Sequence, residues 1–113
     1  MTSEEYLPAG RVEDFSEGTI RRVETAGFEF GMVKWHDQIF AFGNHCTHMG
    51  YGFDEGGYIS PYNEVICTAH FACYDLDTGR LTDGPGYSGL AVYDVRIEDG
   101  AVFVATTAKS QPE

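Results

Sequence analysis

The chain has 113 residues, 42% of them hydrophobic and 14% aromatic, which suits one small β-rich domain with a single packed interior. Eighteen acidic against seven basic residues give a net charge of −11, which argues against nucleic acid and anionic lipid as partners and favours a basic protein surface. Three cysteines, an odd count, do not suggest a disulfide framework. No stretch approaches a membrane span and no basic-then-apolar leader is visible, so the expectation is a reducing cytoplasm with cysteines kept for metal.

In chain order, Tyr6, Leu7 and Val12 suggest a short edge strand punctuated by Pro8 and Gly10. Phe15 to Gly18 reads as a turn, and Thr19 to Thr25 is β-biased. After the Ala26-Gly27 turn, Phe28, Phe30 and Met32 fall on one face of a strand, with Val33 and Trp35 on the other. His36-Asp37 reads as a hairpin turn, and Gln38 to Phe42 returns as a strand, completing a three-stranded meander.

Met49 to Gly57 is a glycine-rich loop. Short strands are expected at Tyr58 to Ser60, Glu64 to Ile66 and within Phe71 to Leu76, with turns at Pro61 to Asn63 and Asp77 to Gly79. Thr82 to Gly89 shows no periodicity. Leu90 to Ile97 is a strand, Glu98-Asp99-Gly100 a hairpin turn, and Ala101 to Ala105 the closing strand. Ser110 to Glu113 is a polar tail. No window has a helical period, so the fold class is all-β, an antiparallel barrel or sandwich.

Two short stretches stand apart. Cys46-Thr47-His48 and Cys67-Thr68-Ala69-His70 read Cys-x-His, a spacer of 18 residues, then Cys-x-x-His. From Trp35 to Gly79, the span that carries both, there is no Lys or Arg. Two thiolates and two imidazoles suit a borderline-soft metal. Tetrahedral structural zinc is one reading, but a zinc finger usually separates its cysteines from its histidines, and here each half is mixed. A [2Fe–2S] centre with two Cys on one iron and two His on the other asks for this mixed pairing. A third reading makes the cysteines core residues and the histidines surface residues.

The residues Cys46-Thr47-His48-Met49-Gly50 and Cys67-Thr68-Ala69-His70, followed by Tyr74-Asp75, Thr78-Gly79 and the hairpin around Glu98-Asp99-Gly100, resemble the Rieske [2Fe–2S] family. The likeness runs from about Val12 to Ala105. It implies a Rieske-type antiparallel β sandwich or barrel with a two-loop cluster-binding subdomain. That subdomain would span about residues 43–89, on a basal β scaffold of about 5–42 and 90–106, all within one domain of 1–113. It also implies one [2Fe–2S] cluster held by Cys46, His48, Cys67 and His70, under a proline-containing loop at Gly84-Pro85-Gly86.

Departures from the family pattern point to a subtype. Tyr51 and Ala69 stand where high-potential respiratory members carry a disulfide, and Ala72 stands where they carry a Ser hydroxyl to a cluster sulfur. The companion Tyr is kept as Tyr74, and Phe71 replaces the usual Gly after the last ligand. Fewer donors to sulfur stabilise the reduced cluster less, which places the potential in the lower part of a range of about −150 to +300 mV.

The resemblance implies a soluble, cytoplasmic, monomeric ferredoxin rather than an enzyme. It would take one electron from an NAD(P)H-dependent flavoprotein reductase and pass it to a terminal, aromatic ring-hydroxylating oxygenase. Asp54, Glu55 and Glu64 would form an acidic docking rim. An alternative is a redox or structural subunit resembling the small subunit of assimilatory nitrite reductase. His36 and His45 read as loop histidines, Cys73 as a buried small hydrophobe, and Trp35 as packing rather than an electron conduit.

Overall fold

A computed structural model describes residues 5–44, 52–53, 56–67, 72–83 and 89–110. Their strands are β1 (Tyr6–Arg11), β2 (Arg21–Thr25), β3 (Phe28–Trp35), β4 (Gln38–Phe42), β5 (Tyr58–Ile59), β6 (Glu64–Cys67), β7 (Ala72–Asp75), β8 (Leu81–Asp83), β9 (Val92–Glu98) and β10 (Ala101–Ser110). A three-residue 3₁₀ turn at Val12–Asp14 follows β1. Among the described residues no helix is long and apolar enough to cross a membrane.

The strands form two antiparallel sheets. The larger has the order β1-β10-β9-β4-β3-β2, and its two edges touch, so it is almost closed into a barrel. The smaller has the order β5-β6-β7-β8. Three hairpins of the barrel turn through two residues with positive φ: Ala26-Gly27, His36-Asp37 and Asp99-Gly100. Such turns match the right-handed twist of the strands they join. His36 and Asp37 are not glycine, and the His36 amide is held there by the Glu17 carboxylate at 2.9 Å.

Alternation sorts the apolar side chains into two cores. Leu7, Phe15, Phe30, Met32, Ile39, Ala41, Val102 and Val104 fill the barrel. Val33, Phe42, Phe53, Val65, Cys67, Ala72, Tyr74, Leu76, Leu90 and Val92 pack between barrel and small sheet. β4 therefore serves both cores, with Ile39 and Ala41 inward and Phe40 and Phe42 outward. That explains why Ile39 to Phe42 reads as a continuous apolar run. Burial of each large side chain contributes about 1.5–3 kcal/mol. Gly31 is required opposite β4, because a Cβ there would run into the Phe42 ring.

The three-stranded meander and the opposite faces of β3 follow the sequence reading. Three details differ. Leu81–Asp83 is a strand on the edge of the small sheet that runs into the aperiodic stretch from Thr82; its backbone pairs with Cys73 and Tyr74, while Thr82 and Asp83 are exposed. β9 runs from Val92 to Glu98 rather than from Leu90 to Ile97. β10 continues past Ala105, because Ala108 and Ser110 pair with Tyr93 and Val92 across register shifts.

Candidate metal centre

Both segments that carry the expected donors begin and end on described residues. The first leaves β4 at Phe42. Gly43 donates its amide to the Ala91 carbonyl at 2.9 Å, and the Asn44 carbonyl accepts the amide of Phe53 at 2.8 Å. Buried Asn44 also donates its side-chain amide to Glu29 at 3.3 Å. Cys46 and His48 fall between Asn44 and Phe53 and lie outside the described residues. The second loop joins β6 to β7, whose last pair is Cys67 opposite Ala72. His70 lies within it and is likewise outside the described residues.

Among the described residues Cys67 is the one expected ligand. It is 3% exposed, belongs to no disulfide, and sits in the inter-sheet core beside Phe53, Ala72 and Tyr74. The Phe53 ring meets Phe42 edge-on (centroids 5.7 Å, planes at 90°) and Tyr74 likewise (5.9 Å, 87°). Offset and edge-on aromatic pairs are the favoured arrangement. An aromatic floor thus lies under the stems of both loops.

The proline-containing segment, the Tyr51 and Ala69 positions, Phe71 and His45 are outside the described residues. The base of the proline-containing segment is anchored where the Leu90 amide donates to the Gly79 carbonyl. Gly79 has φ 79°, and a Cβ there would overlap the Leu90 carbonyl oxygen, so only glycine fits. Ala72 and Tyr74, the two tuning positions on β7, are both fully buried.

Glu64, expected in the acidic docking rim, is bonded within the small sheet. Its carboxylate accepts the hydroxyl of Thr82 at 2.6 Å and that of Ser60 at 3.4 Å, which ties the small sheet together. Asp54 and Glu55 lie outside the described residues. Cys73 is half-buried, not fully, and is in no disulfide. Burial pushes its thiol pKa up, and the charges of Glu64 and Asp83 push it further. His36 is exposed beside the Trp35 ring at 4.8 Å. Trp35 packs against the inter-sheet core and donates its indole N–H to Asn63.

Phe53 and Asn44 escaped the sequence reading. Phe53 ends a short alternation of Met49, Tyr51 and Phe53 with glycines, too brief to mark it as core. The one signal is its position, seven residues after Cys46, which matches that of Tyr74 after Cys67. Among the described residues no group of three His, Cys, Asp or Glu is placed to hold a metal.

A family model described as the Rieske [2Fe-2S] domain matches residues 5–94. The chain belongs to the Rieske [2Fe–2S] family. It therefore takes a Rieske-type cluster, and the donor chemistry agrees: two thiolates neutralise two ferric irons and two sulfides, while imidazoles add no charge. A buried thiol at the mouth of the β6–β7 hairpin fits the cysteine side of such a cluster.

Human "Apoptosis-inducing factor 3" is 31% identical over 99 residues, 88% of this chain, but this chain spans only 16% of that protein's length. The ferredoxin component of the naphthalene 1,2-dioxygenase system of Pseudomonas aeruginosa is 29% identical over 90% of this chain and 96% of its own. A chain in the complex of reduced oxygenase and oxidized ferredoxin of carbazole 1,9a-dioxygenase superposes with TM-score 0.83 at 27% identity. It covers 94% of this Rieske chain and 97% of that one.

Proposed function

We propose that this Rieske protein is a one-electron carrier, not an enzyme in its own right. It takes an electron from an NAD(P)H-dependent flavoprotein reductase and passes it to a terminal, aromatic ring-hydroxylating oxygenase. The observation that carries this reading is the near end-to-end match, in sequence and in fold, to a dioxygenase ferredoxin component and to a chain of an oxygenase–ferredoxin complex. The much longer relative matches over a small part of its length and adds the domain alone.

Cys46 and Cys67 are assigned to the inner iron, and His48 and His70 to the outer iron nearest solvent. When bound, the cluster supplies a reversible one-electron step between overall charges of zero and −1. The chain does the rest. Cys67 holds its sulfur at the edge of an apolar core, and Phe42, Phe53 and Tyr74 keep water from that side. Residues of about 43–89 act as the cluster-binding subdomain, on a scaffold of about 5–42 and 90–106. Cytoplasmic location and a monomeric state complete the reading.

The test is reconstitution. Purified holoprotein mixed with a dioxygenase-type flavoprotein reductase and NADH is expected to be reduced by one electron per chain. Substrate turnover by a matched terminal oxygenase should then depend on it. Failure of the reductase to bleach the protein, or oxygenase turnover that proceeds equally without it, contradicts the carrier role.

A further inference from the structure

We propose that Phe53 is a positioning residue for the cluster: its backbone closes the first donor loop, and its ring sets the spacing of that loop from the second. The proposal rests on the assignment of Cys46, His48, Cys67 and His70 as ligands.

Four observations converge on this residue. Its amide is donated to the Asn44 carbonyl at 2.8 Å, so the segment with Cys46 and His48 is pinned at both ends to one hydrogen bond. Its own carbonyl accepts the Gly57 amide at 2.8 Å. A Cβ on Gly57 would stand 2.8 Å from the Phe53 carbonyl oxygen and 3.0 Å from that of Ile66, so glycine lets the Phe53 backbone lie against β6 one residue before Cys67. The ring, 1% exposed, is wedged edge-on between Phe42, at the root of the first loop, and Tyr74, beyond the second.

A core that merely fills space would use the ring alone. Here backbone and ring of one residue contact the stems of both loops. Close-packed interiors transmit small displacements, and a ligand is held only as well as its supporting groups. Shortening the ring should let Phe42 and Tyr74 draw together, which would shift the two stems relative to each other before it unfolds anything.

The experiment compares Phe53→Leu with Phe30→Leu in holoprotein. Phe30 is equally buried, 1% exposed, but lies in the barrel core. Both substitutions should lower the melting temperature. Phe53→Leu should speed loss of the cluster to an iron chelator at least tenfold and shift the g values of the reduced cluster, while Phe30→Leu leaves both near the parent values. Phe53→Met, about the size of Leu but longer and unbranched, reaches further between Phe42 and Tyr74 and should restore part of the retention. If Phe53→Leu keeps the parent g values and loss rate, or if Phe30→Leu loses its cluster as fast, Phe53 is core filling and the proposal falls. Cys46→Ala separates the two claims: a variant that still carries the parent cluster spectrum overturns the ligand assignment itself, whatever Phe53 does.

Discussion

Trp35 at the end of β3 donates its indole N–H to the side-chain carbonyl of Asn63, in the turn before β6, at 2.7 Å. The bond crosses from barrel to small sheet. With the packing of Trp35 on the inter-sheet core, it fixes how the sheet that carries Cys67 sits on the barrel. Replacing Trp35 by Phe keeps most of the packing and deletes the bond. A net hydrogen bond is worth about 1 kcal/mol, so the melting temperature should fall by roughly 4 °C. The midpoint potential should stay within error of the parent, as expected of a packing residue and not of an electron conduit.

Gly79 gives a sharper stability test. Its φ of 79° and its contact with the Leu90 carbonyl leave no room for a Cβ. Gly79→Ala should cost at least about 2 kcal/mol, adding backbone strain to a forced displacement of the β8–β9 connection. Chemical denaturation of the holoprotein measures it. Gly27 also has positive φ, but nothing lies within 4 Å of its Cβ position, so Gly27→Ala should cost clearly less.

The Cys73 thiol titrates above its ordinary range because burial and the charges of Glu64 and Asp83 disfavour the thiolate. The unfolded chain therefore loses this proton at lower pH than the folded one. The stability conferred by the neutral, half-buried thiol is complete below the unfolded-state pKa and declines as pH rises through the folded-state value. The melting temperature of the parent should fall more steeply from pH 8 to 10 than that of Cys73→Ala. Alkylation of Cys73 should be slow at pH 8 and accelerate above it. Parallel stability curves for the two proteins would refute the linkage.

Tyr74 is fully buried in the same core as Cys67 and is the one retained tuning position. Ala72, where a hydroxyl would otherwise stand, offers none. Tyr74→Phe removes the phenolic O–H with little change of shape. If that group favours the reduced cluster by about 1 kcal/mol, the midpoint potential should drop by roughly 40 mV for one electron. Ala72→Ser should raise it. Potentiometric titration of both variants gives the two signs.

Much of this was legible because local chemistry and global fold agree. Ala26-Gly27, His36-Asp37 and Asp99-Gly100 each contain a Gly, Asp or His, residues found more readily at positive φ, and each marks a hairpin. The alternation of Phe30 and Met32 against Val33 foretold that β3 is buried on both faces. Leu81–Asp83 was not legible, because an edge strand of three residues has backbone pairing and almost no side-chain pattern. The extension of β10 through Thr106, Thr107 and Ala108 uses small and polar residues whose pairing with β9 runs through register shifts within that stretch. At the metal centre the donor types and their spacing stand in the sequence. The supports do not: Asn44 and Phe53 close the first loop through backbone groups, which any residue carries, and Glu64 looks like surface charge until Ser60 and Thr82 are seen to bind it.

The central claim is that two cysteines and two histidines of this chain hold a [2Fe–2S] cluster, with the histidines on one iron. Pulsed electron paramagnetic resonance of the dithionite-reduced protein tests it most directly, because nitrogen bound to the reduced iron couples to the unpaired electron. The account predicts two distinct nitrogen couplings of directly bound strength, in a protein with two irons and two sulfides per chain. A reduced spectrum without such couplings, or a colourless protein with stoichiometric zinc and no sulfide, would contradict it.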